Sequence, residues 1–279
     1  MIHLTGLARI RETAILLSLT SVASALPAKA MTLAGSQGSF SFSNFSIAPV
    51  STDSSATTFT NTVGSDSGTI AIADADAIFT TLPNAGASNF IANSVFSSTL
   101  PSSALARSEA SIIGNFEIAA NQVFDFDFLS NIDLFTSIDR PTDLAAASLD
   151  IQYSLFAFDP ATSTLNELDF FTLAGNISTP NGADGFSIDN SSAIALTLAN
   201  IAHNTGARQT TEDISGQVAG SYRRLFDRSA TLTLAEVKAG TATVETQAVA
   251  VPAPDIIWGI GAFAAIAFAK RKRLSRKSK

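Results

Sequence analysis

No cysteine occurs in the 279 residues, so disulfides, thiolate metal ligands and cysteine nucleophiles are all excluded. Histidine is almost as scarce. His3 and His203 are the only two, which leaves little imidazole for acid–base work or for zinc. There is one tryptophan, Trp258, and two tyrosines, Tyr153 and Tyr222, although Phe numbers 20. An aromatic set made almost wholly of Phe suits core packing better than stacking on sugar rings, which favours rings carrying a polar atom. Charged residues are only 15% of the chain, yet 46% is hydrophobic, so the chain has enough apolar side chain to fold. Long apolar runs are confined to the two ends, which excludes a polytopic membrane protein.

The first 30 residues have Arg9 and Arg11, an apolar stretch from Thr13 to Ala25, and the small-residue pattern Ala28-Lys29-Ala30. This layout predicts a secretory signal peptide cut after Ala30, with Ala23-Ser24-Ala25 as a second candidate cleavage site. Ile10 separates the two arginines, so the twin-arginine route is not indicated. At the other end, Ile256–Ala269 is free of charge, and seven of the ten residues that follow are basic. Fourteen residues at about 1.5 Å each make roughly 21 Å of helix, less than a hydrocarbon core of ~30 Å. Such a transmembrane helix spans only with help from its flanks: Lys270 snorkelling at one end, and residues 247–254 with Trp258 in the other interface. The cluster Lys270, Arg271, Lys272 and Arg273 is expected to hold the inner end in the cytoplasm, with residues 31 to 250 outside.

The order Val251-Pro252-Ala253-Pro254, short apolar helix, basic tail resembles the PEP-CTERM sorting domain of bacterial surface proteins. The resemblance covers residues 251 to 279, with Ala253 standing where the usual motif has glutamate. It implies two processing partners, signal peptidase and an exosortase-type membrane enzyme, and a fate at the cell surface or in secreted material. The domains expected are 1–30 signal peptide, 31–246 exported domain, 247–255 linker and sorting motif, 256–269 membrane helix and 270–279 cytoplasmic tail.

Without its two ends the chain keeps 7 bases against 22 acids, about −15, because three bases and one acid fall in residues 1–30 and seven bases and one acid in residues 255–279. That charge argues against nucleic acid and anionic lipid. The prevailing period is two, the strand period. Phe40 and Phe42 shift parity to Phe45 and Ile47, predicting a bulge near Ser43-Asn44. Ile112, Gly114, Phe116 and Ile118 precede Phe124, Phe126 and Phe128, predicting adjacent strands joined through Ala120-Asn121-Gln122. Leu149 to Leu155 and Leu165 to Leu173 flank Asp159-Pro160-Ala161-Thr162-Ser163, a hairpin signature. Further strands are expected at Ile194 to Leu198, and at Leu232-Leu234 and Ala242-Val244 around a turn at Lys238-Ala239-Gly240. One short helix is expected within Thr211–Asp227, from Ile214, Val218, Tyr222 and Leu225. Loops are expected at 48–67, 80–103 and 204–216. These elements predict an all-β, antiparallel, jelly-roll-like β-sandwich of seven to ten strands.

Asp74 and Asp76, and Asp125 and Asp127, place carboxylates on one strand face, a pattern that could share Ca²⁺, but a solvated polar face gives the same spacing. The run Gly64-Ser65-Asp66-Ser67-Gly68 centres an aspartate where a hydrolase nucleophile would stand, and His203 is the one imidazole left to serve it. No pair among the 22 acids is singled out for glycoside hydrolysis. Arg223, Arg224 and Arg228 form the one basic cluster away from the ends, suited to pairing with nearby acids. No cofactor and no catalytic residue is assigned. The expectation is a non-catalytic structural or interaction protein, with a lectin-like polysaccharide binder using Tyr153 or Tyr222, and a secreted hydrolase, as alternatives.

Overall fold

The computed structural model describes residues 31–64, 68–81, 85–98, 101–180, 182, 184–205 and 210–247. The sorting motif Val251–Pro254, the helix expected at 256–269 and the basic cluster Lys270–Arg273 lie outside these residues, as does the expected signal peptide.

Twelve strands account for most of the described chain: β1 (Thr32–Ser43), β2 (Ser51–Gly64), β3 (Thr69–Thr80), β4 (Gly86–Ser97), β5 (Ser102–Ile118), β6 (Gln122–Ser137), β7 (Leu144–Asp159), β8 (Thr164–Thr179), β9 (Gly185–Asn190), β10 (Ile194–Thr205), β11 (Thr211–Phe226) and β12 (Ala230–Thr246). They form two antiparallel six-stranded sheets, in the orders β10-β11-β6-β1-β4-β3 and β2-β5-β12-β7-β8-β9. The hairpins β3-β4, β7-β8, β8-β9 and β10-β11 stay within a sheet, and every other connection crosses between sheets. The two layers face each other, with β1 over β12 and β7, β4 over β12 and β5, and β6 over β7 and β8.

Alternation decides which side chains enter the space between the layers. Phe124, Phe126, Phe128, Ile132 and Leu134 of β6 point inward, while Asp125, Asp127 and Asp133 point out. From the facing sheet come Leu149, Ile151, Tyr153, Leu155, Phe171 and Leu173. Rings pack tilted or stacked, as in Phe128 with Phe171 at 4.8 Å and 52° and Phe126 with Tyr222 at 5.0 Å and 19°. A second, smaller cluster of Ala34, Val95, Ala104, Ala106, Ile138, Ala145, Ala242 and Val244 fills the end where β1 begins and β12 finishes.

Several expectations are corrected. The strands are more numerous than seven to ten and mostly longer. The helix expected in Thr211–Asp227 is the strand β11. Ile214, Val218 and Tyr222 are four apart because the inward positions between them are glycines. A Cβ on Gly216 would sit 2.8 Å from Ile132 Cγ2, and one on Gly220 2.7 Å from the Phe128 ring. The turn expected at Lys238-Ala239-Gly240 is the middle of the unbroken strand β12. Within the expected loops lie β2, β4 and the ends of β10 and β11. The strand β2 reads as loop because it is a Ser/Thr-rich sheet edge, exposed at every position.

The turn at Asn121 (φ 61) is present, but β5 and β6 belong to opposite sheets and are not hydrogen-bonded neighbours. At the expected bulge, β1 ends at Ser43. Asn44 adopts φ 57, and Ser46 N donates to Asp125 O at 2.9 Å, one residue out of the β1–β6 register. The hairpin β7-β8 turns through residues 160–163 as the sequence indicates.

Candidate functional site

Charged side chains enter the core at the centre of the two layers. On β12 the inward parity runs Leu232, Leu234, Glu236, Lys238, Gly240, Ala242, Val244, so Glu236 and Lys238 occupy positions that the pattern would give to Leu or Ile. Both have 0% exposure. Opposite them, Asn89 of β4 is also buried. Asn89 Nδ2 donates to Glu236 Oε2, and Lys238 Nζ donates to Asn89 Oδ1 and, at 3.2 Å, to the Asn89 backbone carbonyl. The carboxamide therefore stands between the amine and the carboxyl, and Glu236 Oε1 has no hydrogen-bond partner.

The walls are apolar. Ile112 and Tyr153 flank Glu236 across the sheet, Ala110 and Ile151 flank Lys238, and Phe40 pairs with Asn89 on β1. Gly38 makes room for the lysine stem, since a Cβ there would lie 3.3 Å from Lys238 Cδ and 2.6 Å from Leu149 Cδ2. Burial raises the Glu236 carboxyl to about 7, against the opposing effects of Lys238 and the Asn89 hydrogen bond. Burial likewise lowers Lys238 to about 8, opposed by Glu236. Both shifts run toward the uncharged forms and bring the two groups close together, with the amine at about 8 still just above the carboxyl at about 7.

Beside this cluster Asn93 Nδ2 donates to Ser36 Oγ at 3.1 Å, and these side chains with Ser108 separate the large aromatic cluster from the small one. Two further polar groups join the layers. Buried Asp169 of β8 accepts from Tyr222 Oη at 3.0 Å and from Arg224 Nη1 at 2.8 Å, and the Arg224 guanidinium lies 5.7 Å from the Phe226 ring centre. Thr179 of β8 donates to Glu212 of β11 at 2.9 Å and shares a 2.6 Å hydroxyl contact with Thr136 of β6.

The residues singled out in the sequence are scattered. Asp74 and Asp76 face outward on the edge strand β3. Asp125 and Asp127 face outward on β6, where Asp127 accepts from Asn44 at 2.7 Å. Among the described residues no three His, Cys, Asp or Glu side chains gather as a metal site. His203 is on the strand β10, its Nε2 3.9 Å from Asp184 Oδ2, and Ser65, Asp66 and Ser67 lie outside the described residues. Tyr153 and Tyr222 are buried and offer no ring face at the surface. Arg224 pairs with Asp169 as expected of the basic cluster. Surface depressions among the described residues include one bounded by Asn61, Leu105, Leu144, Thr243 and Glu245 and another by Ser148, Asp150, Asn176 and Phe186.

Sequence reasoning missed Asn89, Glu236 and Lys238. The signal was present: one parity runs unbroken from Leu232 to Thr246 with both charged residues on it, but Lys-Ala-Gly reads locally as a turn. Asn89 falls in a Ser/Asn-rich stretch that reads as loop.

No family model matches this chain, and no curated protein matches it. Among solved structures, it is similar to the translocator domain of the autotransporter NalP from Neisseria meningitidis at 14% identity, over 77% of this chain and 96% of that one. The TM-score is 0.15, too low to indicate a common fold.

Proposed function

We propose that the chain is an exported, non-catalytic protein of the cell surface or extracellular material, with a structural or interaction role. Its two-sheet domain, a jelly-roll-like β-sandwich in this reading, stands outside the membrane. Residues 1–30 direct export, and residues 251–279 hold the chain in the membrane until an exosortase-type enzyme acts on the sorting motif. One structural observation favours a structural role for the domain. Among the described residues, four of the five buried charged side chains, Glu236 and Lys238 through Asn89, Asp169 through Tyr222 and Arg224, and Glu212 through Thr179, bridge one sheet to the other. Polar groups placed between layers fix how the layers sit, and a fixed, acidic, Ser/Thr-rich shell suits a scaffold or contact module. Mapping both ends of the mature chain in the cell fraction that holds it tests this: a chain that starts at Met31 and ends upstream of Ile256 supports it, and one with Met1 and Lys279 both in place among cytoplasmic proteins contradicts it.

A further inference from the structure

The side chains that meet between β4 and β12 are a primary amine, a primary carboxamide and a carboxyl group, in a water-excluding pocket of Phe, Tyr, Ile and Ala side chains. A structural ion pair would bring Lys238 and Glu236 together, because a buried charge is tolerated when its counter-charge is close. Here each turns to the amide of Asn89 instead, and one carboxyl oxygen is left without a partner. Lys238 Nζ touches Oδ1, the oxygen bonded to Asn89 Cγ, and Glu236 Oε2 touches Nδ2, the nitrogen on the same carbon. The amine is thus held at the carbonyl oxygen of the acyl group, one bond from its carbon, and the carboxyl at the nitrogen that would leave.

We propose that the folded chain joins Lys238 to Asn89 by an isopeptide bond, with Glu236 as the group that moves the proton. With the proton resting on Glu236, the neutral amine uses its lone pair to form the Nζ–Cγ bond, and the carbonyl π pair moves to Oδ1. Glu236 gives its proton to Nδ2, the Cγ–Nδ2 bond breaks with its electron pair on nitrogen, and ammonia departs as the carbonyl re-forms. The new amide nitrogen returns its surplus proton to Glu236. An amine and a primary amide become a secondary amide and ammonia, with no oxidant, reductant or other reactant. Burial works in the direction the step needs, lowering the amine to about 8 and raising the carboxyl to about 7, so that passing the proton from Lys238 to Glu236 is only slightly uphill. Positioning by two sheets supplies the rest, since neither strand can carry its reacting group away without unpacking the core. The product ties the inner strand β4 of one sheet to the inner strand β12 of the other.

The test is a tryptic digest of the full chain, purified folded from the cells that make it. The segment carrying Asn89 ends at Arg107 and the segment carrying Lys238 begins at Ser229. A bonded chain yields one branched peptide joining these two, lighter by one ammonia than their sum, and shows no cleavage after Lys238. Both segments run into the stretches trimmed at the chain ends, so trimming there changes their masses, but the missing ammonia and the blocked cleavage after Lys238 mark the bond whatever the termini are. A linear peptide running from Ser229 to Lys238, with the Asn89 peptide unlinked and at full mass, would overturn the proposal. Glu236→Gln, checked for folding by circular dichroism, should yield the linear peptides. Branching in that variant at the wild-type level would remove Glu236 from the chemistry. The wild-type digest decides the bond itself even where a variant fails to fold.

Discussion

Tyr153 and Tyr222 are both fully buried, both in contact with the Phe126 ring, and differ at the hydroxyl. Tyr222 donates to the buried Asp169 carboxylate, whereas Tyr153 Oη has no hydrogen-bond partner. Removing a donor from a buried carboxylate costs about 1.5–3 kcal/mol, and removing an unsatisfied hydroxyl costs little. Tyr222→Phe should therefore lower the urea midpoint by a stability loss of about 2 kcal/mol, and Tyr153→Phe should leave it unchanged or raise it. Equal losses would mean that the hydrogen bond is not what holds Tyr222.

Burial is the main cause that pushes both phenols well above their ordinary pKa of 10.0, and the Asp169 charge adds to it. The unfolded chain releases these protons near pH 10 and the folded chain keeps them, so unfolding releases protons. The contribution is present in full below that pH and is lost as pH rises past it. Tyrosinate absorbance should accordingly appear only together with unfolding. Gradual ionisation of either tyrosine in the folded chain near pH 10 would contradict the burial.

At the scale of the element, β11 shows how two periods become indistinguishable. Ile214, Val218 and Tyr222 satisfy a helix at intervals of four and a strand at intervals of two, provided the skipped inward positions are small, and Gly216 and Gly220 supply that. The sign of one substitution separates the two. In a solvent-facing helix Gly220→Ala would stabilise by about 1 kcal/mol. In β11 the added methyl meets the Phe128 ring at 2.7 Å and the Ala195 carbonyl at 2.9 Å, so a loss of about 1–3 kcal/mol in denaturant unfolding is expected. A gain would contradict the strand packing.

Strands with a clean apolar parity, such as β5, β6, β7 and β8, were legible in the sequence, including the β7-β8 turn. The edge strand β2 was not, because an edge exposed on both faces has no parity to read. The charged centre of β12 was hidden for the opposite reason: polar residues on an inward face break the pattern where the interior is most specific. The cluster of Asn89, Glu236 and Lys238 is built by a cross-layer meeting 147 to 149 residues apart in sequence, which no local window contains.

For the whole molecule, assignment of strands to sheets was beyond the sequence, because all but four connections cross between the layers and the same turn signals serve both kinds. The result is a chain with no cysteine whose layers are nonetheless joined by polar groups at several depths. A covalent link between Asn89 and Lys238 would close a loop of roughly 150 residues, for which the chain-entropy argument gives stabilisation of about 5 kcal/mol. A bond of that kind would do for a cysteine-free domain what disulfides do elsewhere.

The central claim is that the two ends of this chain are addresses and the two-sheet domain is what they deliver. Peptide mapping of both termini in the envelope and extracellular fractions tests it most directly. The account predicts a first residue at Met31, the loss of residues 1–30, and a last residue upstream of Ile256. A chain recovered among cytoplasmic proteins with Met1 and Lys279 both in place would contradict it.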